Sequence, residues 1–506
     1  MARYFGNPIA AMRSESFDRR WLVLTVTSIG SFMSLLDSTI VNIALPSILR
    51  RFHANLDSGQ LVLTVYLLAL AVVIPISGFL AERIGMKRLY LSTLVLFTLG
   101  SVLCGLAWNL PSLIVFRLMQ GLGGGMLQPL GMAIVFTQIT PLERGRFMGI
   151  LGLPMLLAPI LGPTVGGYLV EYSSWRTIFL INLPIGAVNL WLAMRLLSES
   201  SIRHDARLDT RGLALAVVAF PLLLLGLSQG EDRGWTSPLV LGMFIIGGLA
   251  LAAFVVVERR HADPLLQVRL FERPMFALGM TINFVTQFSL FGLQFLLPLF
   301  LQTARGMSPA TTGLVLFPSG VASFISMNVG GRMYNTVGPR KLVVSGLALL
   351  LVTTLLLHGL TEDTNVFEIV ALFSMRGMAM GFCMMPVQTA AYNSIPQQLM
   401  TRATALVNML FRVFGSMATA ILTTILVFSL QSQGAPAGAS ITRGTAPLPF
   451  MVEAFHDAFL AMSLLTIVGI ALALFLKDPV LEEFKAKQGL EVVEPEGAKA
   501  ELVTAE

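Results

Sequence analysis

Gly78-Phe79-Leu80-Ala81-Glu82-Arg83-Ile84-Gly85-Met86-Lys87-Arg88-Leu89 has a second copy 253 residues further on, Gly331-Arg332-Met333-Tyr334-Asn335-Thr336-Val337-Gly338-Pro339-Arg340-Lys341-Leu342. Each copy opens on a glycine, has another glycine seven residues later and then carries two basic residues. Each is a short charged connection between two apolar runs. A polar segment that recurs once at such an offset divides a chain into two related halves. What the halves are made of follows from the residues around them.

The chain is 55% hydrophobic and 12% charged, with a mean hydropathy of +0.77. Soluble domains carry about 25% charged residues. Half that density places most of the chain where charge is costly. A membrane-spanning helix needs about 20 mostly apolar residues. Fourteen apolar runs qualify, near 21–45, 60–80, 89–108, 111–137, 147–170, 177–197, 212–228, 238–257, 275–302, 310–333, 342–360, 366–390, 403–429 and 455–476. Each copy of the repeat is then the connection after the second helix of a six-helix set. The expected organisation is a cytoplasmic segment 1–20, a six-helix bundle 21–200, an inserted helix pair with linkers 201–274, a second six-helix bundle 275–476 and a disordered cytoplasmic tail 477–506. The fold class is an all-α polytopic membrane protein. Repeated bundles with a site at their interface are the architecture of secondary transporters.

Basic residues set the orientation. With the N-terminus in the cytoplasm, the inner connections and tail hold 25 Lys and Arg and the outer ones 6. Both termini are expected inside, at a cell membrane. These charges lie in short connections and form no stripe, which argues against nucleic-acid binding. Arg19 and Arg20 precede the first run as in a signal peptide, but 21–45 exceeds a signal core of about 7–15 residues, so it reads as a retained helix. Cys104 and Cys383 each sit inside an apolar run, which excludes a disulfide framework. None of the six lysines follows a glycine, so there is no phosphate-binding loop of the ATPase type, and no HExxH zinc motif occurs. No cofactor and no enzymatic activity are expected.

Asp37 is the one acidic residue deep within a run. A charge at the membrane centre costs about 2.5–3.5 kcal/mol on insertion scales, so such residues are rare and functional by default. Asp37 lies eight residues before Leu45, roughly 12 Å below the outer surface at 1.5 Å per residue; Arg117, six residues after Pro111, lies roughly 9 Å below it. The two share a layer. Burial favours a neutral carboxyl and a neighbouring cation a charged one, so together they let it titrate. The rival proton carriers, His53, His204, His261, His358 and His456, all lie in connections or near helix ends. Arg376 and Arg412 lie deep in the twelfth and thirteenth runs, giving the interior a surplus of positive charge that favours anionic or neutral solutes. Alternatively both bond to helix carbonyls or to polar side chains such as Asn408. Glycines 121–125 have no strand before them and read as close helix packing rather than a dinucleotide loop. Asn42, Gln120, Gln128, Phe291, Phe295, Gln302, Arg376, Asn408 and Arg412 are the candidate lining of a solute cavity.

Several segments resemble the fourteen-helix drug:proton antiporter branch of the major facilitator superfamily. The end of the first run, Leu36-Asp37-Ser38-Thr39-Ile40-Val41-Asn42-Ile43-Ala44-Leu45-Pro46, is similar to that branch's first-helix signature. The loop with Gly78, Glu82, Arg83, Gly85, Lys87 and Arg88 resembles the superfamily's gating loop. Arg117-Leu118-Met119-Gln120-Gly121-Leu122-Gly123 looks like its second motif. Gly162-Pro163-Thr164-Val165-Gly166-Gly167 is similar to the antiporter motif, and Trp175 to Gly186 also looks like this branch. Glu82 stands where the gating loop usually has Asp, Met86 where it has a basic residue, and Asn335 replaces Glu82 in the second copy. The resemblance implies a major facilitator fold, two six-helix bundles plus two extra helices. It also implies proton-coupled export of small hydrophobic or drug-like solutes by alternating access, with Asp37 and Arg117 coupling the proton. A dedicated exporter of a metabolite, lipid or siderophore would have the same fold. A membrane enzyme lacks its second deep acid, and a channel its ring of filter residues. Protons, a small solute and membrane lipids are the expected partners. The loop 429–454 is the segment that a periplasmic adaptor protein would contact.

Overall fold

A computed structural model describes residues 19–205, 207–361, 363–435 and 447–487. All regular structure among these residues is helical. The first half comprises α1 (Arg19–Phe52), α2 (Leu56–Ile84), α3 (Met86–Gly105), α4 (Leu110–Phe136), α5 (Arg144–Leu151), α6 (Leu153–Tyr172), α7 (Thr177–Leu180) and α8 (Asn182–Leu196). An inserted hairpin follows, α9 (Thr210–Arg233) and α10 (Pro238–Arg260). The second half comprises α11 (Pro274–Thr303), α12 (Pro309–Val337), α13 (Pro339–His358), α14 (Val366–Asn393), α15 (Met400–Ser432) and α16 (Leu448–Ala473), with α17 (Pro479–Lys487) after it.

Among the described residues, thirteen stretches are long and apolar enough to cross a membrane. The fifth apolar run, expected as one helix over 147–170, is divided into α5 and α6 at Gly152. Its neighbours explain the break: a Cβ at Gly152 would stand 2.0 Å from the Met327 methyl, so that point is pressed against α12. Helix starts follow local rules. Asn55, Asn109, Ser237, Ser308 and Asn365 each accept a backbone N–H of the first turn.

The tail departs from expectation. Residues just after Lys477 are ordered. Asp478 is buried, accepts from Tyr334 Oη at 2.5 Å and Asn393 Nδ2 at 2.8 Å, and caps α17 through the N–H groups of Val480 and Leu481. A buried acceptor with four donors outweighs the polar composition that suggested disorder. Residues 1–18, 436–446 and 488–506, which hold most of the N-terminal segment, the middle of the loop 429–454 and the rest of the tail, lie outside the described residues.

The halves meet along two seams. On one, α12 packs against α5 and α6; on the other, the hairpin helix α9 packs against both α2 and α15. Polar contacts between the halves, among the described residues, cluster at the arginine-rich end. Arg402 reaches Glu82, Asn335 reaches the Leu142 carbonyl, Gln397 reaches the Phe136 carbonyl, and Arg144 reaches the Tyr392 carbonyl.

Candidate functional site

The buried charge layer is assembled from four helices. Asp37 comes from the middle of α1, Arg117 and Gln120 from α4, Tyr66 from α2 and Asn182 from the start of α8. Glycine makes the approach of α4 to its neighbours close enough: a Cβ at Gly123 would stand 2.5 Å from the Phe97 backbone nitrogen. The glycine run therefore packs helices and places Arg117, one turn before it.

Arg117 and Asp37 form an ion pair, Nη1 to Oδ2 at 2.5 Å, with side chains 1% and 0% exposed. Asp37 Oδ1 accepts from Gln120 Nε2 at 2.8 Å and from Asn182 Nδ2 at 3.4 Å. Every carboxylate oxygen thus has a donor, which a buried charge requires. Arg117 is not held by Asp37 alone. It donates to Gln120 Oε1 at 2.8 Å and to the Val62 carbonyl at 3.2 Å, and its guanidinium lies 4.0 Å from the Tyr66 ring centroid. Arg117 accordingly keeps partners if Asp37 becomes neutral.

A cavity of about 300 Å³ reaches this layer from the end opposite the gate. It is lined by Ser38, Asn42, Gln60, Tyr66, Arg117 and Gln229, among others. At roughly 30 Å³ per water it holds on the order of ten waters, enough for a hydrated path to the pair.

The antiporter motif lies on α6. Gly162 and Gly166 face α1, where a Cβ would meet Thr39 Oγ1 at 2.2 Å and Ile40 Cγ1 at 2.7 Å, two and three residues beyond Asp37. Gly167 faces open space. Pro163 lies in the same helix, and its side chain is outside the described set.

The repeated loop, the expected gating loop, lies at the arginine-rich end, where the two halves touch. Gly85 has φ +97° and Gly338 φ +89°, a region open to glycine, so the two copies fold alike. Glu82 accepts both fork nitrogens of Arg402, at 2.8 and 2.7 Å, with exposures of 13% and 4%. Arg203 joins Glu82 at 3.1 Å and Asp263 at 3.2 Å, and Arg402 reaches Asp263 at 3.4 Å. Partial burial pushes the Asp263 carboxyl up, but Arg203 and Arg402 outweigh it and hold the group below the usual carboxylate range. A Cβ at Gly78 would stand 3.2 Å from Arg402 Cα, so that helix crossing is tight. Arg83 donates to the His204 carbonyl, Lys87 to the Met194 carbonyl at 2.9 Å, and Arg88 lies 3.5 Å from Glu199. Lys87 and Arg88 thus brace their own half, Arg83 reaches the linker before α9, and none of the three bonds to the second half in these contacts.

The remaining candidates do not form one cluster. Arg376 donates to Thr354 Oγ1, Ser289 Oγ and the Ser289 carbonyl, all neutral. Asn408 is buried and donates to the Thr404 carbonyl of its own helix, not to an arginine. Arg412 has no hydrogen bond or ion pair among the described residues. Phe291 packs against Gly415, Phe295 joins the apolar core of the second half, Gln128 is half-buried and Gln302 is exposed. Of the expected lining only Asn42 borders the 300 Å³ cavity, which Arg117 of the buried pair also lines.

Sequence reading missed Arg402, Arg203 and Asp263, which counted only as loop charges. It also missed Asn182 as a ligand of Asp37. A further buried acid, Glu258, ends α10 at 0% exposure. It lies just past the apolar run 238–257, so Asp37 remains the one acid deep within a run, and the signal for Glu258 was an acid directly following the apolar Val257.

A sequence model described as Major Facilitator Superfamily matches residues 27–420. The chain is 38% identical over 403 residues to the uncharacterized MFS-type transporter YhcA of Bacillus subtilis, covering 80% of this chain and 76% of that one. It is 33% identical over 472 residues to a multidrug resistance protein B homolog of Mycobacterium tuberculosis, covering 88% and 87%. Among solved structures it superposes on the human organic anion transporter MFSD10 (TETRAN) with a TM-score of 0.62 over 90% of this chain and 99% of that one, at 16% identity. Family, membrane-length helices and fold agree: the chain belongs to the Major Facilitator Superfamily and is a multi-pass membrane transporter, not an enzyme.

Proposed function

We propose that this transporter is a proton-coupled antiporter that exports small hydrophobic or drug-like solutes across the cell membrane by alternating access. The observation that carries the reading is the Asp37–Arg117 pair, buried in the first half yet bordered by a polar cavity. A proton arriving through the cavity neutralises Asp37. Arg117 then falls back on Gln120, the Val62 carbonyl and the Tyr66 face. Loss of the pair frees α1 and α4 to shift, and the proton leaves on the other side once the gate opens. Solute moves in exchange. The arginine-rich end is cytoplasmic in this reading, so the described conformation is closed inward. Relatives named for multidrug resistance support the solute class.

The test uses proteoliposomes, a fluorescent lipophilic cation and an imposed pH gradient. Wild type is expected to transport, and Asp37→Asn to fall to the level of empty vesicles. Coupled transport by Asp37→Asn would overturn the proton role. A second reading, a dedicated exporter of an acidic metabolite or lipid, is favoured by one observation: Arg376 has only neutral partners and Arg412 has none among the described residues. Competition by amphipathic anions and not by cations would select it.

A further inference from the structure

Asp209 and Glu258 are buried to 3% and 0% exposure at the arginine-rich end of the inserted hairpin. Asp209 caps α9, its Oδ1 accepting the Gly212 N–H at 2.8 Å. Glu258 ends α10, its Oε2 accepting the Leu266 N–H at 3.0 Å. The other oxygen of each, Asp209 Oδ2 and Glu258 Oε1, is buried without a hydrogen-bond partner. A Cβ at Gly212 would stand 2.6 Å from both of these oxygens. Two orphan oxygens therefore face the same point and are at most twice that distance apart. The adjoining chain is apolar: Leu208, next to Asp209, and Leu213 pack with Leu265 of the linker and Phe79 of α2.

Buried polar atoms without partners are rare and call for an explanation. Two carboxylate oxygens this close, buried and with no donor between them lack the one hydrogen that a shared proton would supply. The charged groups around them do not remove the need. From α15, Arg402 acts on Glu258, but its fork is spent on Glu82 and it also reaches Asp263. From α2 comes Glu82, and from the linkers Asp263 and Arg203, already joined to one another. On the hairpin itself Arg259 pairs with Glu272, and Arg211 and Arg260 are exposed. The nearby imidazole of His261 accepts the Asp263 N–H.

We infer that Asp209 and Glu258 form a proton-binding site, with one proton shared between Oδ2 and Oε1, and that this proton holds the gate at the arginine-rich end shut. The mechanical link is short. Glu258 fastens the linker at Leu266, and three residues earlier in that linker Asp263 closes the bridge between Arg203 and Arg402. Loss of the proton sets two buried anions against each other, parts the ends of α9 and α10 and withdraws Asp263 from Arg402. The inference does not depend on Asp37 carrying a coupling proton.

The experiment uses full-length protein in lipid nanodiscs and an Asp37→Asn background, which removes that residue's own titration. Spin labels at Ser198→Cys and Gln398→Cys, both exposed, report the gate; the native cysteines are buried. Between about pH 5 and 9, a window that spans the ordinary histidine range, the parent is expected to open as pH rises. Glu258→Gln and Asp209→Asn are each expected to stay closed and lose the transition, while His204 and His261, present in all three, stay constant. Infrared spectroscopy provides an independent reading: the parent at neutral pH shows a protonated carboxyl stretch that both variants lose. A parent whose gate distance ignores pH, variants that keep the parent's transition, or a carboxyl band unchanged in both variants would overturn the inference. Should Glu258→Gln fail to fold, Asp209→Asn decides by the same two readings.

Discussion

Where α2 meets α3, the repeated loop sets Glu82 against the Arg402 fork of the other half; where α12 meets α13, the same backbone sets Asn335 against the Leu142 carbonyl at 2.8 Å. The glycine that turns each loop has nearly the same φ. Geometry is shared and chemistry is not. The partners differ in the same way: Arg402 meets a carboxylate, whereas Arg144 meets the Tyr392 carbonyl, Asn393 and Gln397. One seam of the gate is thus charge-assisted and the other neutral. The buried layer repeats the contrast, with Arg117 paired to an acid and Arg376 bonded to hydroxyls and a carbonyl. Both ionic contacts lie on first-half carboxylates.

The contrast breaks first at the buried arginines. Arg117→Met leaves Asp37 buried without its cation and is expected to destabilise by about 3–5 kcal/mol. Arg376→Met removes a cation that has no anion and is expected to cost about 1–2 kcal/mol, the loss of hydrogen bonds alone. Thermal melting in one detergent compares them, and equal losses would mean that the halves are electrostatically alike. At the gate, Glu82→Gln removes a bidentate charge-assisted contact and should loosen closure by about 2–3 kcal/mol, against about 1 kcal/mol for Asn335→Ala. The label pair at residues 198 and 398 reads both as shifts in the closed fraction.

Gly85→Leu and Gly338→Leu sharpen the comparison, because each forces a side chain into a left-handed backbone at roughly 1–2 kcal/mol. Similar stability losses are expected, but only Gly85→Leu should slow conformational exchange, since it alone bends a loop that carries an ion pair. The smallest effect is in pH. Asp263 is held below its usual range, so its contribution is present above about pH 4 and is lost as pH falls through its lowered value. Melting followed toward acid pH should show that loss in wild type, by less than about 1 kcal/mol because the site is partly exposed, and not in Asp263→Asn.

Much of the fold was legible because the membrane writes itself into sequence. Apolar length fixes where helices run, basic loops fix the expected orientation, and a repeated loop fixes the halves. Asp37 and Arg117 could be placed in one layer by counting residues from helix ends. Which long side chain reaches which acid could not be counted. Arg402 lies in the first turn of α15 and Asp263 in the linker after α10, both far along the chain, and only helix crossing brings them to Glu82. The break at Gly152 and the docking of α17 through Asp478 likewise depend on what presses against those residues. So does the Asp209–Glu258 pair, in which an N-cap and a helix end 49 positions apart meet over Gly212. Burial depth is a property of the local run, and the sequence by itself determined it. Partnering is a property of packed surfaces, so the tertiary structure alone decided that.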